Sequence, residues 1–175
     1  EPDPAIRCGL FGDARLTLLY SGNIGKAHDF ELFIQLARSV YKMESKITFC
    51  FACRGNRFEE LKKAIIPQDY NIRLASFAEE SELEKRLNAA DIHLLSLRPE
   101  LAGIVVPSKF VGSLAVRNPV IYAGPENSSI AYWIREFDES LVLTQTIKQQ
   151  ISEKLVEISR NPNVRKTWQK NAIDL

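Results

Sequence analysis

At 175 residues the chain suits one domain, with enough mass to bury a core. Its apolar share of 45% and charged share of 26% exclude disorder, and a formal net charge of +1 leaves no electrostatic footprint of a nucleic-acid binder. No apolar run approaches the roughly 18 residues that would indicate a membrane span.

The chain opens with EPDPAIRCGLFGDAR, polar and broken by prolines, which does not resemble a signal peptide. Without an initiator Met, it reads as a piece of a longer protein. Residues 1–15 are assigned as a linker or amino-terminal extension. LTLLY (16–20) predicts a strand, and DFELFIQLARSVYK (29–42) a helix with Asp29 as its N-cap. KITFCFA (46–52) predicts a second strand and NRFEELKKAII (56–66) a helix ended by Pro67. IRLAS (72–76) is a short strand, and SELEKRLNAA (81–90) a helix in which Ser81 and Glu84 fit a capping box. DIHLLSL (91–97) follows as a strand, then a loop and a helix PSKFVGSLAV with Pro107 near its first turn. PVIYA (119–123) is the last clear strand, followed by a helix SSIAYWIREF (128–137). The tail predicts one helix from Thr144 to about Arg160 and a second from Pro162 to about Ala172.

Strand–helix alternation with nearly unbroken apolar strands predicts an α/β domain, a doubly wound parallel sheet covered on both faces. The Rossmann-like unit is placed at 16–143, with 144–175 as C-terminal helices packing on or extending from it. Ligands of such sheets bind outside the carboxyl ends of the strands. That singles out the loops 21–28, 53–57, 76–80, 96–107 and 123–128.

The first of these loops reads SGNIGKAH, and Gly25-Lys26 invites a phosphate-loop reading. A Walker loop needs four residues between its glycines and a hydroxyl after the lysine. Here only Asn23 and Ile24 separate Gly22 from Gly25, and Ala27 stands where the hydroxyl would be. The spacing of a dinucleotide fingerprint fails too. What remains is a polar turn with Ser21, Asn23, Lys26 and His28 as donors in front of a helix. Pro107-Ser108-Lys109 open another helix, so amides, a hydroxyl and an ammonium share one helix N-terminus, which suits a diphosphate. Gly103 lets the backbone before them come close to a ligand. Arg54 adds a cation after the second strand.

His93, inside a strand, reads as structural. The three cysteines are an odd number, which argues against a disulfide framework and fits a reducing compartment. Cys50 and Cys53 form a C-x-x-C within an apolar run and read as buried or strand-end residues. No G-x-S-x-G elbow, metal-ligand cluster or carboxylate pair emerges, and Glu100 is the one carboxylate near the second constellation.

Three stretches, YSGNIGKAHDF, ADIHLLSLRP and GIVVPSKFVGSLAVRNPVI, occur in an order and spacing that resemble the C-terminal half of bacterial family 4 glycosyltransferases of the GT-B fold. The branch most similar is the colanic-acid and O-antigen type, and the similarity covers about residues 16 to 137. The resemblance implies a Rossmann-like domain that binds a UDP- or GDP-sugar for a retaining transferase in cell-surface polysaccharide synthesis. The acceptor domain would lie outside this chain, which alone would have little or no activity. No metal ion and no cofactor is expected, because helix dipoles and basic side chains stabilise the departing nucleoside diphosphate.

Carried over, Gly22, Asn23, Lys26 and His28 would lie beside the donor phosphates. Arg54 would be near the nucleoside or phosphate, and the 76–78 loop near the base. Pro107, Ser108 and Lys109 would cradle the diphosphate and ribose. The family's E-x7-E glutamates fall on Ile104 and Gly112, so the ribose contact is unassigned and Glu100 is the nearest substitute for the sugar-contacting carboxylate. Asn118 replaces a common glycine. The implied partners are the nucleotide sugar and, through the missing domain, a sugar or lipid-linked acceptor, with no nucleic acid. The implied location is cytoplasmic, or peripheral at the inner face of the membrane. Two alternatives stay open: a non-catalytic nucleotide-binding or scaffold module, and half of a GT-B-like sugar-nucleotide 2-epimerase.

Overall fold

The computed structural model describes residues 2–101, 118–136 and 141–171. In chain order the elements are α1 (Pro4–Phe11), β1 (Leu16–Asn23), α2 (Glu31–Tyr41), β2 (Ile47–Arg54), α3 (Phe58–Ala64), β3 (Ile72–Ala75), α4 (Glu80–Asn88) and β4 (Ile92–Ser96). After a 3-10 turn at Pro99–Leu101 come β5 (Val120–Ala123), α5 (Ser129–Glu136), β6 (Leu141–Leu143), α6 (Lys148–Arg160) and α7 (Pro162–Asn171). The strands form one parallel sheet in the order β3-β2-β1-β4-β5-β6. This is the doubly wound α/β architecture expected from the alternation of short apolar runs and amphipathic segments.

Strand alternation sorts the core into two layers. Leu16, Leu18 and Tyr20 of β1 share one face with Ile47, Phe49 and Phe51 of β2. There they pack with Phe33, Leu36 and Val40 of α2 and with Leu155 and Ile158 of α6. Trp168 fixes α7 to the same layer. Leu19, Cys50 and Ala52 point the other way, onto Leu10 and Phe11 of α1 and onto Ala89 and Ala90. Both cysteines of the C-x-x-C are buried in β2, where burial pushes the Cys50 thiol up to about 12. They are wall, not reagent.

Several local expectations change. Within residues 1–15, read as a linker or extension, Pro4–Phe11 form α1, whose N-cap Asp3 accepts from the amides of Ala5 (2.9 Å) and Ile6 (3.2 Å). LVL at 141–143 is a sixth strand, too short to stand out as an apolar run. α2 begins at Glu31 with Phe30 in the cap position, although the Asp29 carboxylate still accepts from the Glu31 amide at 3.0 Å. The Ser81–Glu84 capping box does not form. α4 starts at Glu80 after an extended Glu79, which leaves Ser81 inside the first turn. The predicted helix from Pro107 lies outside the described residues.

At the amino-terminal side of β3, Asp69 accepts both arms of Arg38 at 2.7 Å and the Ile66 amide at 2.9 Å. The Arg38 hydrogen bonds hold its carboxyl below the usual range, with the Ile66 amide adding to them against the effect of burial. A carboxyl whose folded pKa is depressed contributes stability that is full above its unfolded value of about 3.9 and is lost as pH falls through the folded value. Asp69→Asn is therefore expected to lower stability at neutral pH and to flatten the loss below about pH 4, read as urea midpoints against pH. Parallel curves for the two proteins would remove Asp69 from the acid response.

Candidate nucleotide-binding site at the switch point

In the order 3-2-1-4-5-6 the connections reverse direction between β1 and β4, and the carboxyl ends of those strands open the crevice where doubly wound sheets bind ligands. The loops leaving the two strands are tied together. His28 donates from Nδ1 to the Ser96 carbonyl at 2.8 Å, so the bond requires the tautomer protonated there. The Asp29 amide donates to Ser96 Oγ at 3.2 Å, and the Arg98 amide donates to the Ala27 carbonyl at 2.8 Å. Ser96 is buried, at the last position of β4.

From the opposite side, the β2–α3 turn holds the same loop. The Ile24 amide donates to the Arg54 carbonyl at 2.7 Å, and the Arg57 amide donates to the Ile24 carbonyl at 3.2 Å. The Arg57 guanidinium donates to the His28 carbonyl. Beneath lies Tyr20, fully buried, edge-on to the His28 ring with centroids 6.3 Å apart. Burial raises its phenol above the ordinary range, so it stays protonated and donates to the Asn23 carbonyl at 3.5 Å. Gly22, at φ 128°, takes a backbone conformation that favours glycine as β1 leaves the sheet. Lys26 stands exposed on a loop that is pinned on both sides.

The structure thus brings Gly22, Asn23, Lys26 and His28 into one turn at the switch point. Arg54 is the register partner of Asn23, and its Cζ lies 4.0 Å from the centroid of the Phe77 ring, in the loop after β3. Glu100 is exposed in the 3-10 turn after β4. Gly103, Ile104, Pro107, Ser108, Lys109 and Gly112 lie outside the described residues. His93 is buried, and burial pushes its imidazole down to about 4. The Asn118 amide is 3.5 Å from its Nε2, consistent with the structural role expected. Among the described residues, no three His, Cys, Asp or Glu side chains converge as metal ligands would.

Ser96, Arg57 and Phe77 lie within the loops that the sequence singles out, but none of the three is marked there as an individual site residue. A serine closing an apolar strand is a weak signal that could have pointed to Ser96. Arg57 in NRFEEL reads as one more charged residue at the exposed start of a helix, and nothing local marks it as buried.

A doubly wound parallel sheet with polar loops meeting at its switch point is an α/β domain of the class that binds ligands in that crevice. This chain belongs to the group 1 glycosyl transferase family, whose model matches residues 9–175. A comparison with curated protein sequences gives no match. Among solved structures, the chain is similar to the C-terminal domain of LpcC, a glycosyl transferase group 1 family protein from Francisella tularensis. The two share 19% identity and a TM-score of 0.65 over 92% of this chain and 84% of that one. A TarM variant from S. aureus, in complex with fondaparinux, α-GlcNAc-glycerol and UDP, matches with 13% identity and a TM-score of 0.68 over 91% of this chain. HepE from Anabaena, in complex with UDP-glucose, matches with 12% identity and a TM-score of 0.66 over 97%. These likenesses identify the fold as the Rossmann-like half of a GT-B structure. The chain spans 31% of that TarM chain and 47% of that HepE chain.

Proposed function

We propose that this chain is the donor-binding half of a retaining glycosyltransferase of the colanic-acid and O-antigen branch, taking a UDP- or GDP-linked sugar for cell-surface polysaccharide synthesis. The observation that carries the reading is the cross-tied pair of loops at the switch point. His28, Asp29 and Ala27 bond to Ser96 and Arg98, so the turn bearing Lys26 is set before any ligand arrives. A preset cation beside a crevice suits a departing diphosphate, because stabilising its charge then needs no reorganisation. The UDP and UDP-glucose held by TarM and HepE support the donor class.

In this reading Lys26 and His28 face the diphosphate together with Ser108 and Lys109. Arg54 and Phe77 border the nucleoside, and Glu100 contacts the sugar. The acceptor half belongs to the rest of the parent protein, which works in the cytoplasm or at the inner membrane face. One Rossmann-like half cannot by itself exclude water or align an acceptor, so the chain alone is expected to turn over little or nothing. Among the described residues, no helix is long and apolar enough to cross a membrane.

Calorimetric titration with UDP, GDP and their sugars tests the reading, with micromolar to millimolar binding of one of them expected. Lys26→Ala should weaken nucleoside diphosphate binding by roughly 1.5–3 kcal/mol, as for the loss of a charge-assisted bond. Unchanged affinity would take Lys26 out of the site. An intact fold that binds no nucleotide would favour a scaffold module instead.

A further inference from the structure

Arg57 is only 7% exposed, and the role just described for the donor loop makes no use of it. Its position is unusual for a cation. One guanidinium nitrogen donates to the His28 carbonyl, Nε donates to Glu60 Oε2 at 2.9 Å, and Cζ lies 4.9 Å from the Phe30 ring centroid. The residue's own amide holds the Ile24 carbonyl at 3.2 Å. A single residue therefore grips both ends of the segment 24–28, one end by backbone and the other by side chain. Burying a cation is unfavourable unless it is well paired. The carboxylate beside it is a poor match, since the Glu60 side chain is 59% exposed and screened by water. The guanidinium thus lies directly behind the loop that carries Lys26, opposed by one water-screened carboxylate.

We propose that Arg57 is a positioning residue for the donor diphosphate: it holds the 24–28 loop in its phosphate-receiving shape and supplies a fixed positive field behind it. This rests on the donor-binding reading above. The two parts separate chemically. The brace needs the guanidinium fork, whereas the field needs only a charge.

Three variants, Arg57→Met, Arg57→Lys and Glu60→Gln, divide the effects. Two readouts apply: amide hydrogen exchange of residues 24–28 without ligand, and binding of UDP and GDP against uridine and guanosine. Arg57→Met should speed exchange in the loop about tenfold and weaken the diphosphate about tenfold, with a much smaller change for the nucleoside. Arg57→Lys should recover much of the diphosphate affinity but little of the exchange protection. Glu60→Gln removes the opposing charge from an exposed position and should tighten the diphosphate about twofold with exchange unchanged.

Unchanged loop exchange in Arg57→Met overturns the brace, whatever binds. If the wild-type domain binds a diphosphate and Arg57→Met binds it equally well, this inference fails while the donor-binding reading stands. If the wild-type domain binds neither UDP nor GDP, both fail. Should Arg57→Met not fold, Arg57→Lys decides the brace by exchange, and unchanged affinity in Glu60→Gln overturns the field.

Discussion

Asp91→Ala is expected to cost about 3–5 kcal/mol of folding stability, the range for removing one partner from a buried charged pair. Asp91 Oδ2 accepts from Arg7 at 2.7 Å and from the Thr17 amide and hydroxyl at 3.0 Å each. Thr17 Oγ1 in turn accepts from the Asp91 amide at 2.9 Å and from Arg7 at 3.1 Å, while Arg7 also donates to the Ala89 carbonyl at 2.8 Å. The Asp91 side chain is 8% exposed and that of Arg7 22%. One carboxylate thus joins α1, the start of β1 and the turn into β4, and its loss strands three donors in a poorly hydrated place. Asp91→Asn, which keeps an acceptor, should cost less. Urea denaturation of the three proteins measures both effects, and a loss under 1 kcal/mol for Asp91→Ala would show that the network is dispensable. Nucleotide affinity of the folded fraction should hardly change, because the network sits at the amino-terminal ends of β1 and β4, the other end of the strands from the switch-point crevice.

Gly55→Ala is expected to do the reverse, harming the site more than the fold. Gly55 has φ 130°, and a Cβ built there would stand 2.4 Å from Asn23 Oδ1 and 2.7 Å from the Ile24 carbonyl oxygen. An amide side chain can swing aside, but the Ile24 carbonyl is backbone and receives the Arg57 amide. The turn must therefore move away from the β1 loop, breaking the ties that pin it. Backbone strain of this kind costs on the order of 1–3 kcal/mol. The larger consequence should be a fall of more than about tenfold in nucleoside diphosphate affinity, equivalent to about 1.4 kcal/mol or more. Gly9→Ala is the control. It lies in α1 with open space around its Cβ position, and alanine should be tolerated or slightly stabilising there. Equal affinities for wild type and Gly55→Ala would show that the turn does not shape the site.

LTLLY, ITFCFA and DIHLLSL announce buried parallel strands because both faces of each are covered, so most positions are apolar and the polar exceptions, such as Thr17, Thr48 and His93, are buried too. The polar turn GNIGKAH reads as a ligand loop because it lies at the carboxyl end of the first strand, of which Gly22 and Asn23 are the last two residues. α1 is hard to read locally: Asp3-Pro4 is a cap-and-first-turn signal, but two prolines within four residues also suit an extended segment. β6 could not be found that way. Three residues, LVL, carry too little pattern, and only pairing with β5 makes them a strand.

The alternation of parallel strands and covering helices, the loops that carry polar groups, and the resemblance to a glycosyltransferase half are all legible in the amino-acid sequence. The alternation and the loops depend on periodicity and turn chemistry within a few residues, whereas the resemblance rests on three particular stretches in order. The adjacency of β1 and β4, the bond from His28 to Ser96 and the burial of Arg57 behind the 24–28 loop are settled by tertiary packing alone. Each of these joins residues far apart in the chain, and such contacts form only when the whole sheet closes and burial makes an unpaired polar group too costly to leave.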